Sequence, residues 1–213
     1  MQNIKDMQDI KVIALTGEIG AGKSTAAKIL EAMGGVRLDA DEIALSLWQR
    51  QDIKDKAVIR WGNKILDDNS KIIFAEVAKI IFNSSDEYKF CCNLIHPAVM
   101  SELEAQVKNL KALNKYNFII VELPLLFEVD KSLWHDFWVD YILFIAADKA
   151  SRVKRCAARG WDEDELKRRE SYYLPAFARK AKSDFIINNN QDLNILIQEL
   201  AGVLNKLNIK IKD

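Results

Sequence analysis

The sequence predicts an α/β protein of three layers, a parallel β-sheet between two layers of helices. Three observations predict it. Short apolar runs of strand length (Ile10–Leu15, Phe118–Val121, Tyr141–Ala146 and Phe185–Ile187) alternate with longer stretches of helical periodicity. The run Gly17-Glu18-Ile19-Gly20-Ala21-Gly22-Lys23-Ser24 fits the pattern G-x-x-x-x-G-K-[ST] and lies between the first apolar run and the first helical one. The chain has 213 residues, 49% of them hydrophobic, enough for one α/β domain with insertions or a domain plus a small satellite.

Each element follows from its residues. Ile10-Lys11-Val12-Ile13-Ala14-Leu15 reads as a buried strand. Gly17, Gly20 and Gly22 let the next turn fold tightly and bring backbone N–H groups, that of Ala21 included, toward a phosphate. Ser24 to Met33 is rich in helix formers and stops at Gly34-Gly35. The start of that helix, with Thr25 in its first turn, favours an anion. Lys23 has the reach for β- and γ-phosphates, and the Ser24 hydroxyl suits a Mg²⁺ shell. Strand, glycine loop and helix in this order predict a P-loop NTPase-type parallel sheet that binds the phosphates of a nucleotide.

Val36-Arg37-Leu38 reads as a second strand with Asp39 and Asp41 at its carboxyl end, where open α/β sheets bind ligands. Asp41 is the better candidate for a base; either aspartate also suits a cap for a helix starting at Glu42. From Glu42 to about Asn114 the chain looks helical, with apolar faces through Ile43 and Leu47, Ile53 and Ala57, Ile72 to Ile81, and Val99 to Leu110. His96-Pro97 predicts a further helix start, with Pro97 in the first turn. His96 reads either as a residue orienting that turn or as a substrate contact. So many segments predict a helical insertion after the second strand.

Phe118-Ile119-Ile120-Val121-Glu122 reads as a strand ending in an acid, a place where a carboxylate orders Mg²⁺ in phosphate-binding-loop proteins, though buried strands end so for other reasons too. Leu123 to Glu128 reads as an apolar turn and helix start beside the cleft. Tyr141–Ala146 is the next strand, and Asp148 opens a basic helix in which Arg155 and Arg159 share a face, ended by Gly160-Trp161. The densely charged Asp162–Glu170 is either a solvated helix or a mobile lid carrying guanidinium groups. Asn188 and Asn189, past the last strand, suit either contact with a base or turn chemistry. Asp192 caps a final amphipathic helix through Leu204.

Composition excludes other classes. Lys plus Arg and Asp plus Glu number 31 each, so there is no general basic field for nucleic acid. Cys91, Cys92 and Cys156 match no zinc spacing and read as reduced, buried thiols. Met1 to Asp9 has no signal-peptide core, and the apolar run at Tyr141–Ala147 is too short to span a bilayer. A cytoplasmic protein without membrane partners is expected.

Taken together, the motifs resemble those of the dephospho-coenzyme A kinase family. The matching residues are Ile13-Ala14-Leu15-Thr16-Gly17 leading into the loop, Asp39-Ala40-Asp41, Leu94-Ile95-His96-Pro97, Pro124-Leu125-Leu126-Phe127-Glu128, Arg155 with Arg159, and Ser183-Asp184-Phe185-Ile186-Ile187-Asn188-Asn189. The resemblance implies transfer of the ATP γ-phosphoryl group to the ribose 3′-hydroxyl of dephospho-CoA. It implies a nucleotide-binding core (1–43, 115–154 and 180–213), a helical substrate domain (44–114) and a lid (155–179). It further implies Asp41 as base, with Lys23 and Arg155 catalytic. Gly17, Gly20, Ala21, Gly22, Lys23, Ser24, Thr25, Arg155, Arg159, Asn188 and Asn189 would hold ATP. Thr16, Asp39, Asp41, His96, Pro124 and Leu125 would face dephospho-CoA, and Ser24 and Glu122 would hold Mg²⁺. Family members are often monomers, so a monomer or weak homo-oligomer is expected. Glu18 stands where the family often has glycine, and is expected to turn outward from the phosphates. In the lid, Tyr172-Tyr173-Leu174-Pro175 stands where the family usually carries a glutamine. Another small-molecule or nucleoside-monophosphate kinase on this fold, or a non-catalytic nucleotide-binding module, are the alternative readings.

Overall fold

The computed structural model describes residues 10–130 and 138–212. Among these, five parallel strands form one sheet: β1 (Lys11–Gly17), β2 (Gly35–Asp39), β3 (Phe118–Glu122), β4 (Tyr141–Ala146) and β5 (Phe185–Asn188). Their order is β2-β3-β1-β4-β5, so β1 is central and the chain crosses it between β3 and β4. Parallel strands covered on both faces need apolar side chains on both, which is why β1 and β3 read as unbroken apolar runs. Val12 to Leu15 and Phe118 to Val121 are all fully buried. β1 runs beyond the predicted Leu15 because Thr16 and Gly17 pair with Phe144 and Ile145 of β4.

Two helices close one face of the sheet. α1 (Lys23–Ala32) and α9 (Leu193–Lys206) place Ala26, Ala27 and Leu30, and Leu196, Leu200 and Leu204, in a single core with Ile13, Leu15, Phe118, Ile120, Leu143 and Ile145. Those six sheet residues are two apart on their strands and so share a face. Burial of each leucine contributes roughly 1.5–3 kcal/mol. Asp192 caps α9 as predicted, accepting from the N–H groups of Asn194 and Ile195. After β4 come α6 (Lys149–Ala157), α7 (Glu163–Glu170) and α8 (Ala176–Lys180), with Asp148 and Asp162 capping the first two. Cys156 is buried with Ile19 and Leu166 in a small cluster beneath the loop.

The chain divides into two compact units, one being Ala40–Glu102 and the other everything on either side of it. The smaller contains α2 (Ala40–Leu47), α3 (Gln51–Trp61), a 3-10 turn at Asn63–Ile65, α4 (Phe74–Ile81) and the first part of α5 (Ser85–Leu113). Its core is aromatic: the Trp61 ring lies 6.2 Å from Trp48 and 5.4 Å from Phe90, and Phe74 lies edge-on to Trp48. The Trp61 indole N–H donates to Glu87, which Arg60 also pairs. Cys91 and Cys92 are half-buried thiols, and burial pushes the Cys91 pKa up to about 12.

Two expectations are corrected. Pro97 does not start a helix but lies inside α5. Proline removes one backbone bond and crowds the preceding turn; burial of Ile95, Val99 and Met100 around it offsets that cost. Leu123 to Glu128 forms turns and no helix, because the Leu123 N–H is taken by the Leu15 carbonyl and the following bonds are of turn type. Among the described residues no helix is long and apolar enough to cross a membrane.

Candidate active site

The loop between β1 and α1 is built against β4. The Glu18 N–H donates to the Ile145 carbonyl at 3.1 Å. Gly17, at φ +148°, passes so close to that carbonyl that a Cβ would overlap it. Gly22 is the N-cap of α1 at φ +97°, where a side chain would strike the Asn189 amide. These two positions admit only glycine. No side chain caps α1, which leaves the donors of its first turn for an anion. The Lys23 ammonium curls back over the loop and donates to the carbonyls of Gly17 (3.3 Å) and Glu18 (3.0 Å).

Arg155 and Asn189 close the other side of the loop. The Arg155 guanidinium donates to the Ala21 carbonyl at 3.1 Å and to the Asn189 carbonyl at 2.9 Å. The Asn189 amide donates to the same Ala21 oxygen at 2.8 Å. Beside them lies a cavity of about 330 Å³ lined by Gly20, Gly22, Thr25, Arg155, Arg159, Asn189, Gln191, Leu193 and Leu196. Its lining combines two guanidinium groups, polar side chains and two leucines, as a phosphate-bearing base requires. Arg159 lies beyond the last turn of α6 yet reaches the cavity with Arg155. Asn188 ends β5 exposed and does not line the cavity.

At the carboxyl edge the register sets Asp39 of β2 opposite Glu122 of β3, and Glu122 opposite Leu15 of β1. The Ser24 hydroxyl donates to Glu122 Oε1 at 2.8 Å. Glu122 Oε2 accepts from Arg37 Nε (3.0 Å) and Nη2 (2.6 Å), and Arg37 also pairs with Asp39. A hydroxyl and a carboxylate oxygen side by side are hard donors of the kind Mg²⁺ takes. Thr16 is fully buried and donates to the Pro124 carbonyl at 3.3 Å, fixing the half-buried Pro124 and Leu125 beside the strand ends.

Asp41 and His96 belong to the helical unit. Asp41 lies in the first turn of α2, two residues past the end of β2. His96 lies in α5, where burial holds its imidazole below the ordinary histidine value.

Glu18 is not turned outward. It is buried, its Oε2 accepts from the Ala147 N–H at 3.2 Å, and Arg152 and Lys180 lie 3.8 and 3.9 Å from its carboxylate. Two cations and a backbone donor hold it on the inner side of the loop. The sequence reading also missed Arg37, Arg152, Arg179 and Gln191. A basic residue inside an apolar strand was the one available signal for Arg37; the others are ordinary surface residues by composition.

The loop, the cationic cavity and the serine–glutamate pair define a phosphotransferase of the phosphate-binding-loop class. A family model described as dephospho-CoA kinase matches residues 11–194. The chain belongs to the dephospho-CoA kinase family. It is 32% identical over 199 residues to the dephospho-CoA kinase of Streptococcus agalactiae serotype III, a match covering 92% of this chain and 99% of that one. A crystal structure from Thermus thermophilus superposes with a TM-score of 0.73 at 27% identity, covering 94% and 99% of the two chains. A dephospho-CoA kinase from Campylobacter jejuni shares the fold, with a TM-score of 0.65 at 24% identity over 92% and 96%.

Proposed function

We propose that the protein transfers the γ-phosphoryl group of ATP to the ribose 3′-hydroxyl of dephospho-CoA, giving CoA and ADP, the last step of CoA synthesis. The observation that carries this is the phosphate-binding loop with its cationic cavity, in a chain that matches the dephospho-CoA kinase family across residues 11–194. The bond formed joins the ribose 3′-oxygen to Pγ; the bond broken joins Pγ to the β–γ bridging oxygen, and ADP leaves. The hydroxyl proton passes to the Asp41 carboxylate, which orients the acceptor and takes the proton late.

Lys23 and the loop N–H groups other than those of Glu18 and Ala21, which are bonded to the Ile145 and Glu18 carbonyls, hold the β- and γ-phosphates. Arg155 and Arg159 neutralise charge spreading over the transferred group. Gly17, Gly20, Ala21, Gly22, Thr25 and Asn189 complete the ATP site, while the exposed Asn188 lies outside its cavity. Asp39, His96, Pro124 and Leu125 face the acceptor, with the buried Thr16 fixing Pro124 from behind, 44–114 as its domain and 155–179 as a lid. Ser24 and Glu122 fit Mg²⁺ and would hold it; when bound, it would offset the negative charge of the phosphates. The neutral charge balance supports two small-molecule substrates and no nucleic acid. A cytoplasmic monomer or weak homo-oligomer completes the reading.

The test is ADP release from Mg-ATP with and without dephospho-CoA, with mass analysis of the acceptor. Dephospho-CoA-dependent ADP and one added phosphate are expected. ADP release with an unmodified acceptor would overturn the assignment.

A further inference from the structure

We infer that Arg179 and Glu128, which lie outside the phosphate-binding loop, are positioning residues that keep the loop bonded when Lys23 moves to nucleotide phosphates. This rests on the reading of the loop as the ATP site.

Arg179 is 3% exposed, and its guanidinium spans two segments. Nε donates to the Leu174 carbonyl at 2.9 Å, in the turn between α7 and α8. Nη1 donates to the Gly17 carbonyl at 3.1 Å. The Tyr173 and Phe144 rings, 5.0 and 5.4 Å away, hold the group in place. The other end of the Leu174 residue is held as well, because its N–H donates to Glu128 Oε1 at 2.8 Å. The second oxygen of Glu128 is buried without a hydrogen-bond partner. Burial raises the Glu128 pKa, and the charge of Arg179 opposes that rise. The Leu174 backbone is thus gripped by an anion at its N–H and a cation at its carbonyl, and the cation also grips the loop.

The Gly17 oxygen is the shared point. It accepts from both Lys23 and Arg179. The other acceptor of Lys23, the Glu18 carbonyl, has a second donor too, the Ala21 N–H at 3.2 Å. Once phosphates draw the ammonium away, both carbonyls keep a donor. An acceptor stripped of its only donor inside a protein carries the full cost of its lost hydration. Arg179 removes that cost at Gly17, so Lys23 is released to the nucleotide more readily. Glu128 holds the turn that aims Arg179.

The experiment is calorimetric titration of Mg-ATP, without acceptor, into the wild-type chain, Arg179→Ala, Arg179→Lys, Glu128→Ala and Glu128→Gln, each with and without Lys23→Ala. Arg179→Ala is expected to weaken binding about tenfold, on the scale of one charged hydrogen bond. Arg179→Lys falls between, since a compact ammonium lacks the planar fork that spans the Leu174 and Gly17 carbonyls together. Glu128→Ala weakens binding about threefold, while Glu128→Gln stays near wild type because its amide oxygen still accepts from Leu174. The decisive readout is coupling. With Lys23 already alanine there is no ammonium to release, and the Arg179 and Glu128 effects shrink to little. Equal losses in both backgrounds, or wild-type binding by Arg179→Ala, overturn the inference and make Arg179 a structural staple. If Arg179→Ala does not fold, Arg179→Lys and Glu128→Ala carry the same comparison. Failure of the wild-type chain to bind Mg-ATP would instead overturn the reading of the loop.

Discussion

Replacing Arg37 with methionine tests the carboxylate edge of the site. The guanidinium makes two bonds to Glu122 Oε2, at 3.0 and 2.6 Å, and pairs with Asp39. The side chains of Arg37, Glu122 and Asp39 are 16, 5 and 11% exposed. Methionine fills similar volume but leaves two carboxylates facing each other with no cation between. Removing one partner of a dry ion pair costs about 3–5 kcal/mol. The residual water here reduces that to about 2–3 kcal/mol. At about 2–4 °C per kcal/mol for a chain of this size, melting should fall by about 5–10 °C. The assay is thermal unfolding followed by circular dichroism. Adding Glu122→Gln should restore part of the loss, since one of the facing charges is gone. A fall under about 1 °C in Arg37→Met would refute the reasoning. No recovery in the double variant would assign the loss to methionine packing rather than charge.

Three other outcomes are expected. Lys23→Ala should weaken Mg-ATP binding by about ten- to a hundredfold and slow turnover, as loss of charged phosphate contacts requires; wild-type binding in a nucleotide titration would count against the loop. Asp41→Asn should bind Mg-ATP as the parent does while turnover drops about a hundredfold or more, and unchanged turnover would remove Asp41 as base. His96 is held below its ordinary value of 6.5 by burial. Above pH 6.5 it is neutral folded and unfolded, and its contribution is flat. As pH falls below 6.5 the unfolded chain takes the proton first, so stability drops until the folded pKa is passed. Urea unfolding between pH 5 and 8, a window of about three units around the histidine value, should show this drop, and His96→Gln should flatten it; equal slopes would show that His96 does not carry it.

The amino-acid sequence by itself determined the elements whose causes are local. The β3 and β4 runs, the caps at Asp148 and Asp192 and the glycine loop depend on neighbours a few residues away, and the structure has them where the pattern put them. Arg155 and Arg159 line one cavity, but Arg159 lies past the end of α6 and not on the helical face that their spacing predicted. Tertiary structure decided what joins distant segments. Arg37 meets Glu122 across 85 positions, Ser24 meets Glu122 across 98, Arg179 meets Gly17 across 162 and Asn189 meets Ala21 across 168. Parallel pairing of β2 with β3 set the first, and packing of helices and loops against the sheet set the others; both depend on which segments become neighbours and not on any one segment's residues alone. The same cause turned Glu18 inward, where Arg152, Lys180 and the Ala147 N–H wait for a carboxylate, and carried α5 through Pro97, where burial on both sides outweighs a lost backbone bond.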